Sequence, residues 1–213
     1  MVGHGAAAAA ETRDYTILVD GKPQGEYHLT ITKQADGSFV VQSHAKVRIS
    51  YLIKTYRYSY RGQETWKDNR LVRFDSSTND DGKQYEVVAL AQGQQLQVQV
   101  NGQSRAVGPD IWISTYWQQP RGQPRHQKIA VLDGDTGDVI PSKLQYVGIE
   151  QRTVAGQTQN CAHYKVFDGM QADLWYDAQG MLVHEDAIDD GHRVVHELVR
   201  IWQQPQQPQQ PSK

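Results

Sequence analysis

The feature of this sequence that most restricts its fold is period-two alternation of apolar and polar residues, repeatedly interrupted by short turn signals. Tyr15, Ile17 and Val19 alternate with polar neighbours, and Tyr27, Leu29 and Ile31 do the same after a turn around Asp20 to Pro23. Ala35-Asp36-Gly37 leads into Phe39, Val41, Ser43, Ala45, Val47 and Ile49, and Tyr56, Tyr58 and Tyr60 continue the pattern toward Trp66. Further turns are marked by Lys67 to Arg70, Asp80-Asp81-Gly82, Gln92-Gly93 and Asn101-Gly102, the last being the strongest two-residue hairpin signal. Alternation with this punctuation describes half-buried antiparallel strands. The expected fold is all-β: a single large curved antiparallel meander sheet or open barrel, with one short aromatic helix.

That helix is expected over Asp110 to Gln119, where Trp112, Ile113, Tyr116 and Trp117 stand at helical spacing between Pro109 and Pro120. It is too short to be stable alone, so its aromatic face must dock on the sheet. The chain of 213 residues reads as one domain over 13–202. A disordered N-terminal tail over 1–12 and a disordered Gln/Pro tail over 203–213 flank it. Ala6 to Ala10 before Glu11 resemble the small-residue end of a secretory signal, with Met1 to Gly5 as an added start, which points to a periplasmic or secreted protein. A formal net charge of -2 gives no reason to expect nucleic acid as a partner, and no run of eighteen apolar residues is present to cross a bilayer as a helix. The lone Cys161 excludes an intrachain disulfide and reads as a buried free thiol.

Short turns set the expected register between Cys161 and Trp202. A three-residue loop at Asp168 to Met170 places His163 opposite Trp175 and Lys165 opposite Asp173. A two-residue turn at Ala178-Gln179 puts Asp173 opposite His184, and a loop at Asp189 to Gly191 puts His184 opposite His196. Lys165, Asp173, His184 and His196 then form one polar row, in which an Asp orients a His for acid-base work. The other face, with Ala162, Tyr164, Val166, Leu174, Val195, Val199 and Ile201 among its residues, is the one expected to be buried. A cross-strand polar ladder is the simpler reading of the row.

No cofactor is predicted, because phosphate loops, dinucleotide fingerprints, paired cysteine ligands and Gly-x-Ser-x-Gly elbows are all missing. A divalent metal on the histidine row is the one ion that the arrangement admits, and sheet spacing converges on it poorly. Asp133-Gly134-Asp135-Thr136-Gly137-Asp138 begins like a calcium loop, but Asp138 and Leu144 occupy positions that need glycine and glutamate, so a strand connection is expected. His28 and His44 fall on a solvated strand face.

Trp66-Lys67-Asp68-Asn69-Arg70-Leu71, Ser114-Thr115-Tyr116-Trp117, and Trp175-Tyr176-Asp177 with Gly180 and Leu182-Val183 resemble an uncharacterised family of exported bacterial β proteins, a domain of unknown function. The resemblance spans about Tyr15 to Trp202 and implies a wrapped antiparallel sheet, with no activity or catalytic residues to carry over. The layout is also loosely similar to the periplasmic lipoprotein carriers, in which a curved sheet closes around a helical plug.

Aromatic residues without a catalytic signature point first to a binding or carrier protein for a small apolar, lipid or carbohydrate-like ligand. His163, Trp175, Tyr56, Tyr58, Trp112, Tyr116 and Trp117 are its expected contacts. The second reading is a hydrolase, lyase or isomerase with His184 or His196 as general base, Asp173 orienting it and Lys165 stabilising charge. The third is a structural or interaction domain of the cell envelope, with edge strands open to partners. Oligomeric state is left open.

Overall fold

The computed structural model describes residues 9–50 and 52–204. Eight strands come first: β1 (Ala9–Val19), β2 (Lys22–Lys33), β3 (Phe39–Ser50), β4 (Thr55–Lys67), β5 (Arg70–Asp80), β6 (Lys83–Gln92), β7 (Gln95–Val100) and β8 (Gln103–Val107). Seven follow: β9 (Ile111–Ile113), β10 (Gln127–Leu132), β11 (Val139–Val154), β12 (Gln157–Phe167), β13 (Gln171–Tyr176), β14 (Leu182–Asp189) and β15 (His192–Gln204). No helix occurs among the described residues.

Turn chemistry accounts for the meander. Asp20-Gly21, Asp68-Asn69, Asp81-Gly82, Asn101-Gly102, Ala155-Gly156 and Asp190-Gly191 each fill a two-residue connection with left-handed φ at both positions. This is the type I′ pattern, whose twist suits the flanking strands.

The strands pair in the order β8-β7-β6-β5-β4-β3-β2-β1-β15-β14-β13-β12-β11-β10-β9, forming one 15-stranded sheet. The chain therefore builds outward from β1 to β8, crosses to the opposite edge, and returns to close β15 on β1. All neighbours are antiparallel except β9 with β10. The two edges, β8 and β9, are not paired to each other, yet the sheet curls until its ends meet through side chains. Leu71, Phe74, Val87 and Val98 from β5–β7 share a buried cluster with Ile111, Ile113 and Leu132 from β9 and β10. Arg105 of β8 donates to the Gly137 carbonyl across the same gap. Gly137 has φ of 77° and no room for a side chain, since a Cβ would strike Val87 and Val100. Closure is thus barrel-like, made by interdigitation and not by a hydrogen-bonded ladder.

The expected helix at Asp110–Gln119 does not form. Ile111–Ile113 is a strand, and the residues after it make an extended strap over β13–β14. Leu182 donates its amide to the Trp117 carbonyl at 3.1 Å, Gln119 donates to the Gly180 carbonyl at 2.7 Å, and Gln118 bridges Met181. Tyr116 has φ of 43°, which a right-handed helix excludes. A ten-residue helix between two prolines is marginal on local terms, so ladder partners offered by neighbouring strands prevail. The strap still buries its aromatic residues: Trp117 lies 5.9 Å from Phe39 and 6.3 Å from Trp66, ring to ring.

A central apolar cluster joins β1–β4 to β12–β15 around Trp117 and includes Cys161, a buried free thiol raised by burial above its ordinary pKa. The sheet runs past the expected limits of 13–202, because Ala10, Glu11 and Thr12 pair with Gln204, Gln203 and Trp202. The rest of the two expected tails lies outside the described residues.

Candidate functional site

At one end of the curled sheet the last residues of β1, β3, β5 and β14 converge with the first of β4 and β15 around a cavity of about 480 Å³. Ile17, Val19, Val47, Ile49 and Val194 supply apolar wall, and Ser114 and Thr115 of the strap close the inner end. Period two places Tyr56, Tyr58 and Tyr60 on the inward face of β4, with Tyr27 facing them from β2. Tyr60 can lie along its strand because residue 62 is glycine; a Cβ there would collide with the Tyr60 hydroxyl and with Ser43 Oγ.

The tyrosine hydroxyls divide into two sets. Tyr56 donates to Asp80 Oδ1 at 2.7 Å, and Tyr58 donates to Asp135 Oδ1 at 2.7 Å. Tyr27 and Tyr60 are 7% and 5% exposed; the Tyr27 hydroxyl has no hydrogen-bond partner among the described residues, and the Tyr60 hydroxyl lies beside Ser43. Buried polar atoms of this kind are uncommon in folded proteins, and each one calls for an account.

Carboxylates outnumber cations around the cavity. Asp80, Asp135, Glu185, Asp189 and Asp190 line it with Lys54, His192 and His196. Burial and the neighbouring Asp133 push the Asp135 carboxyl up to about 7, against the hydrogen bonds from Tyr58 and Thr78. Asp189 is raised by desolvation and by Asp190, Asp133 and Asp80. His196 Nδ1 lies 2.9 Å from Glu185 Oε2, and its ring lies 5.3 Å from that of Tyr27.

Sequence and structure agree on part of the polar row. His163 faces Trp175 and Lys165 faces Asp173, as the three-residue loop requires. Beyond that loop the row breaks. Asp173 pairs with Asp186, and His184 pairs with Trp175 and Glu197, not with Asp173 and His196. Two turns cause the difference. The β13–β14 connection holds Asp177 to Met181, with a register shift at Trp175/Tyr176, and the β14–β15 turn is the two-residue Asp190-Gly191. A one-residue slip exchanges the faces of a strand. His196 consequently turns into the cavity, while Val199 and Ile201, expected in the core, are exposed.

Lys165, Asp173, His163, Trp175 and His184 are absent from the cavity wall and form a second cluster, in which His163, Trp175 and His184 are buried. His163 spans two carboxylates, with Nδ1 2.8 Å from Glu150 and Nε2 2.7 Å from Asp173. It stacks on Trp175 at 4.2 Å, and Arg152 lies 4.1 Å from the same indole ring. Trp175 donates to Glu150 at 2.8 Å, and Lys165 lies 3.6 Å from Asp173. These mutually bonded groups make a cross-strand ladder. Burial, with nearby Arg152, lowers the His184 pKa to about 4. Among the described residues no three His, Cys, Asp or Glu side chains are grouped to hold a metal ion.

The family model for a domain of unknown function, DUF6134, matches residues 15–199. The chain belongs to that family. No curated protein matches it. A crystal structure of a β-barrel-like protein of another domain of unknown function, DUF1849, from Brucella abortus, is similar in fold with a TM-score of 0.63 at 10% identity. The match covers 95% of this chain and 100% of that one. At this identity the likeness speaks for the fold alone.

Within this DUF6134 domain the structure brings Tyr56, Tyr58 and His196 together in the cavity. It sends Trp112, Tyr116 and Trp117 to a separate recess of about 280 Å³ beside the strap. Tyr27, Asp135 and Glu185 escaped the sequence reading as site residues, and Tyr60 entered it as one of the aromatic residues favouring a binding role but not as an expected contact. Alternation in β4 held the signal for Tyr60. Asp135 stood in the loop weighed for calcium, which is a strand connection whose Asp133 accepts from Asp135 N and Thr136 Oγ1.

Proposed function

We propose that this DUF6134 domain is an exported binding or carrier module that holds a small ligand with an apolar body inside its curled sheet. The observation that carries the reading is the cavity of about 480 Å³ itself, in which apolar side chains and Tyr27, Tyr56, Tyr58 and Tyr60 share the wall with a few fixed polar groups. Its size falls in the range of small-molecule sites, which combine apolar walls with a few fixed polar groups.

Native mass spectrometry of protein purified from its own host, beside Ala45→Trp, which fills the cavity, tests the reading. A non-covalent adduct on the wild type that is missing from folded Ala45→Trp is expected. A folded wild type without adduct, or an adduct that persists in the filled variant, overturns it. Export is tested by fractionating cells that express the full gene; retention in the cytoplasm rejects that part.

A second reading rests on His196, which opens into the cavity while Glu185 holds its other ring nitrogen. Such a dyad suits a general base. Ester or lactone hydrolysis lost in His196→Gln, with ligand affinity kept, would support it; turnover equal in both proteins would reject it.

A further inference from the structure

The binding reading leaves the class of ligand open, and the charges of the cavity narrow it. Asp135 sits at its inner end, held by Tyr58 at 2.7 Å and Thr78 at 3.2 Å. Asp80, Asp189 and Asp190 stand around it, and Tyr56 orients Asp80. The cations on the same wall are engaged with carboxylates. Lys54 Nζ lies 2.9 Å from Asp81, His192 Nδ1 lies 2.8 Å from Asp20, and His196 faces Glu185. Four tyrosines complete the lining. Their ring faces attract cations, and their hydroxyls bias two of the aspartates toward fixed positions.

An anionic ligand entering this space would meet like charge in a partly desolvated site, where repulsion is strong. A neutral ligand would leave the carboxylates uncompensated. A cation attached to an apolar body would neutralise them while filling the apolar wall formed by Ile17, Val47, Ile49 and Val194.

Resting on the carrier reading above, we infer that the cavity selects amphipathic cations: an alkyl or aryl ammonium whose charged head lies among Asp135, Asp189 and the tyrosine rings, with its apolar portion against the β1–β3 and β15 side chains. Two features argue for a built site and not for a chance acidic surface. The carboxylates share the wall of one cavity with four tyrosines and an apolar surface, and Asp135 is carried inward by a connection that Ser76 and Ser114 anchor through the backbone of Gly134.

The test uses three ligands of one chain length, octyltrimethylammonium, octanol and octyl sulfate, titrated below their micellar range into the purified protein by calorimetry. Asp135→Asn and Asp189→Asn are titrated alongside, with circular dichroism confirming that they fold. The ammonium is expected to bind about tenfold or more tighter than octanol. Each Asn variant should lose most of that preference while keeping its affinity for octanol. Equal binding of octanol and the ammonium, or a preference that survives in both variants, overturns the charge selection and leaves the carrier reading standing. Tighter binding of octyl sulfate overturns it outright. Failure of all three to bind overturns the inference together with the carrier reading.

Discussion

Glu64 is the side chain whose position is hardest to reconcile with ordinary packing. It is fully buried, accepts hydrogen bonds from Thr115 at 2.6 Å and from the Trp66 indole at 2.6 Å, and thereby ties β4 to the strap. Burial outweighs these hydrogen bonds and raises its carboxyl from 4.5 to about 7. Between those two values the native state holds a proton that the unfolded chain has lost. Glu64 therefore contributes stability that is complete below pH 4.5 and is lost as pH rises through about 7. Glu64→Gln removes this dependence. Urea titrations should find the variant gaining on the wild type by about 3 kcal/mol between pH 4.5 and 8, and a constant gap across that range would refute the assignment. Tyr27→Phe deletes a buried hydroxyl without a hydrogen-bond partner among the described residues, so the ligand-free protein should gain about 1 kcal/mol in the same titration. A loss of stability would mean that the hydroxyl is satisfied within the fold. Glu64 was legible in outline, since counting by two from Tyr56 places Tyr60, Gly62 and Glu64 on one inward face. What alternation cannot supply is the partner, because Thr115 comes from a segment far along the chain.

At the scale of elements, the reliable parts of the sequence were those in which local chemistry decides. Asp-Gly and Asn-Gly pairs fix left-handed turns by their own preferences, and strand order in a meander follows from those turns. The strap and the β13–β14 connection were misread because tertiary partners decide them. Asp177 Oδ1 accepts from the amides of Gln179 and Met181, both at 2.9 Å, and lengthens a turn that composition alone would make two residues. The displaced row has a measurable consequence. His184 packs edge-on against Trp175 at 5.0 Å, away from the cavity, so His184→Ala should cost about 1–2 kcal/mol of stability and leave ligand affinity unchanged in calorimetry. A selective loss of affinity would return function to the cluster around His163 and Trp175. Trp117, expected to meet ligand, is core. Trp117→Ala should cost about 3–5 kcal/mol in chemical unfolding, and a cost below 1 kcal/mol would show that the strap is only loosely docked.

For the whole molecule, the decisive contact is the seam that joins the first strand to the last. Residues in β1 pair with β15 on one side and β2 on the other, so neither half of the meander is a complete body without the seam. Arg13 reinforces it from within. Only 2% exposed, it donates to Asp177 Oδ2 at 2.9 Å and to the Leu182 carbonyl at 3.2 Å, while Tyr15 donates to that same carbonyl at 2.6 Å. One buried guanidinium thus connects β1 to the turn that also seats the strap. Removing it leaves the Asp177 carboxylate buried without its cation, a loss of about 3–5 kcal/mol. If the seam makes the sheet one cooperative unit, that loss must reach residues far from it. Urea unfolding followed by tryptophan fluorescence, whose reporters stand in β4, β9, the strap, β13 and β15, and by far-ultraviolet circular dichroism, which reports all fifteen strands, should give a single midpoint for the wild type. In Arg13→Met both midpoints should fall together. Separate midpoints would mean that the sheet does not unfold as one unit, and that the cavity is held by local contacts and not by closure of the sheet.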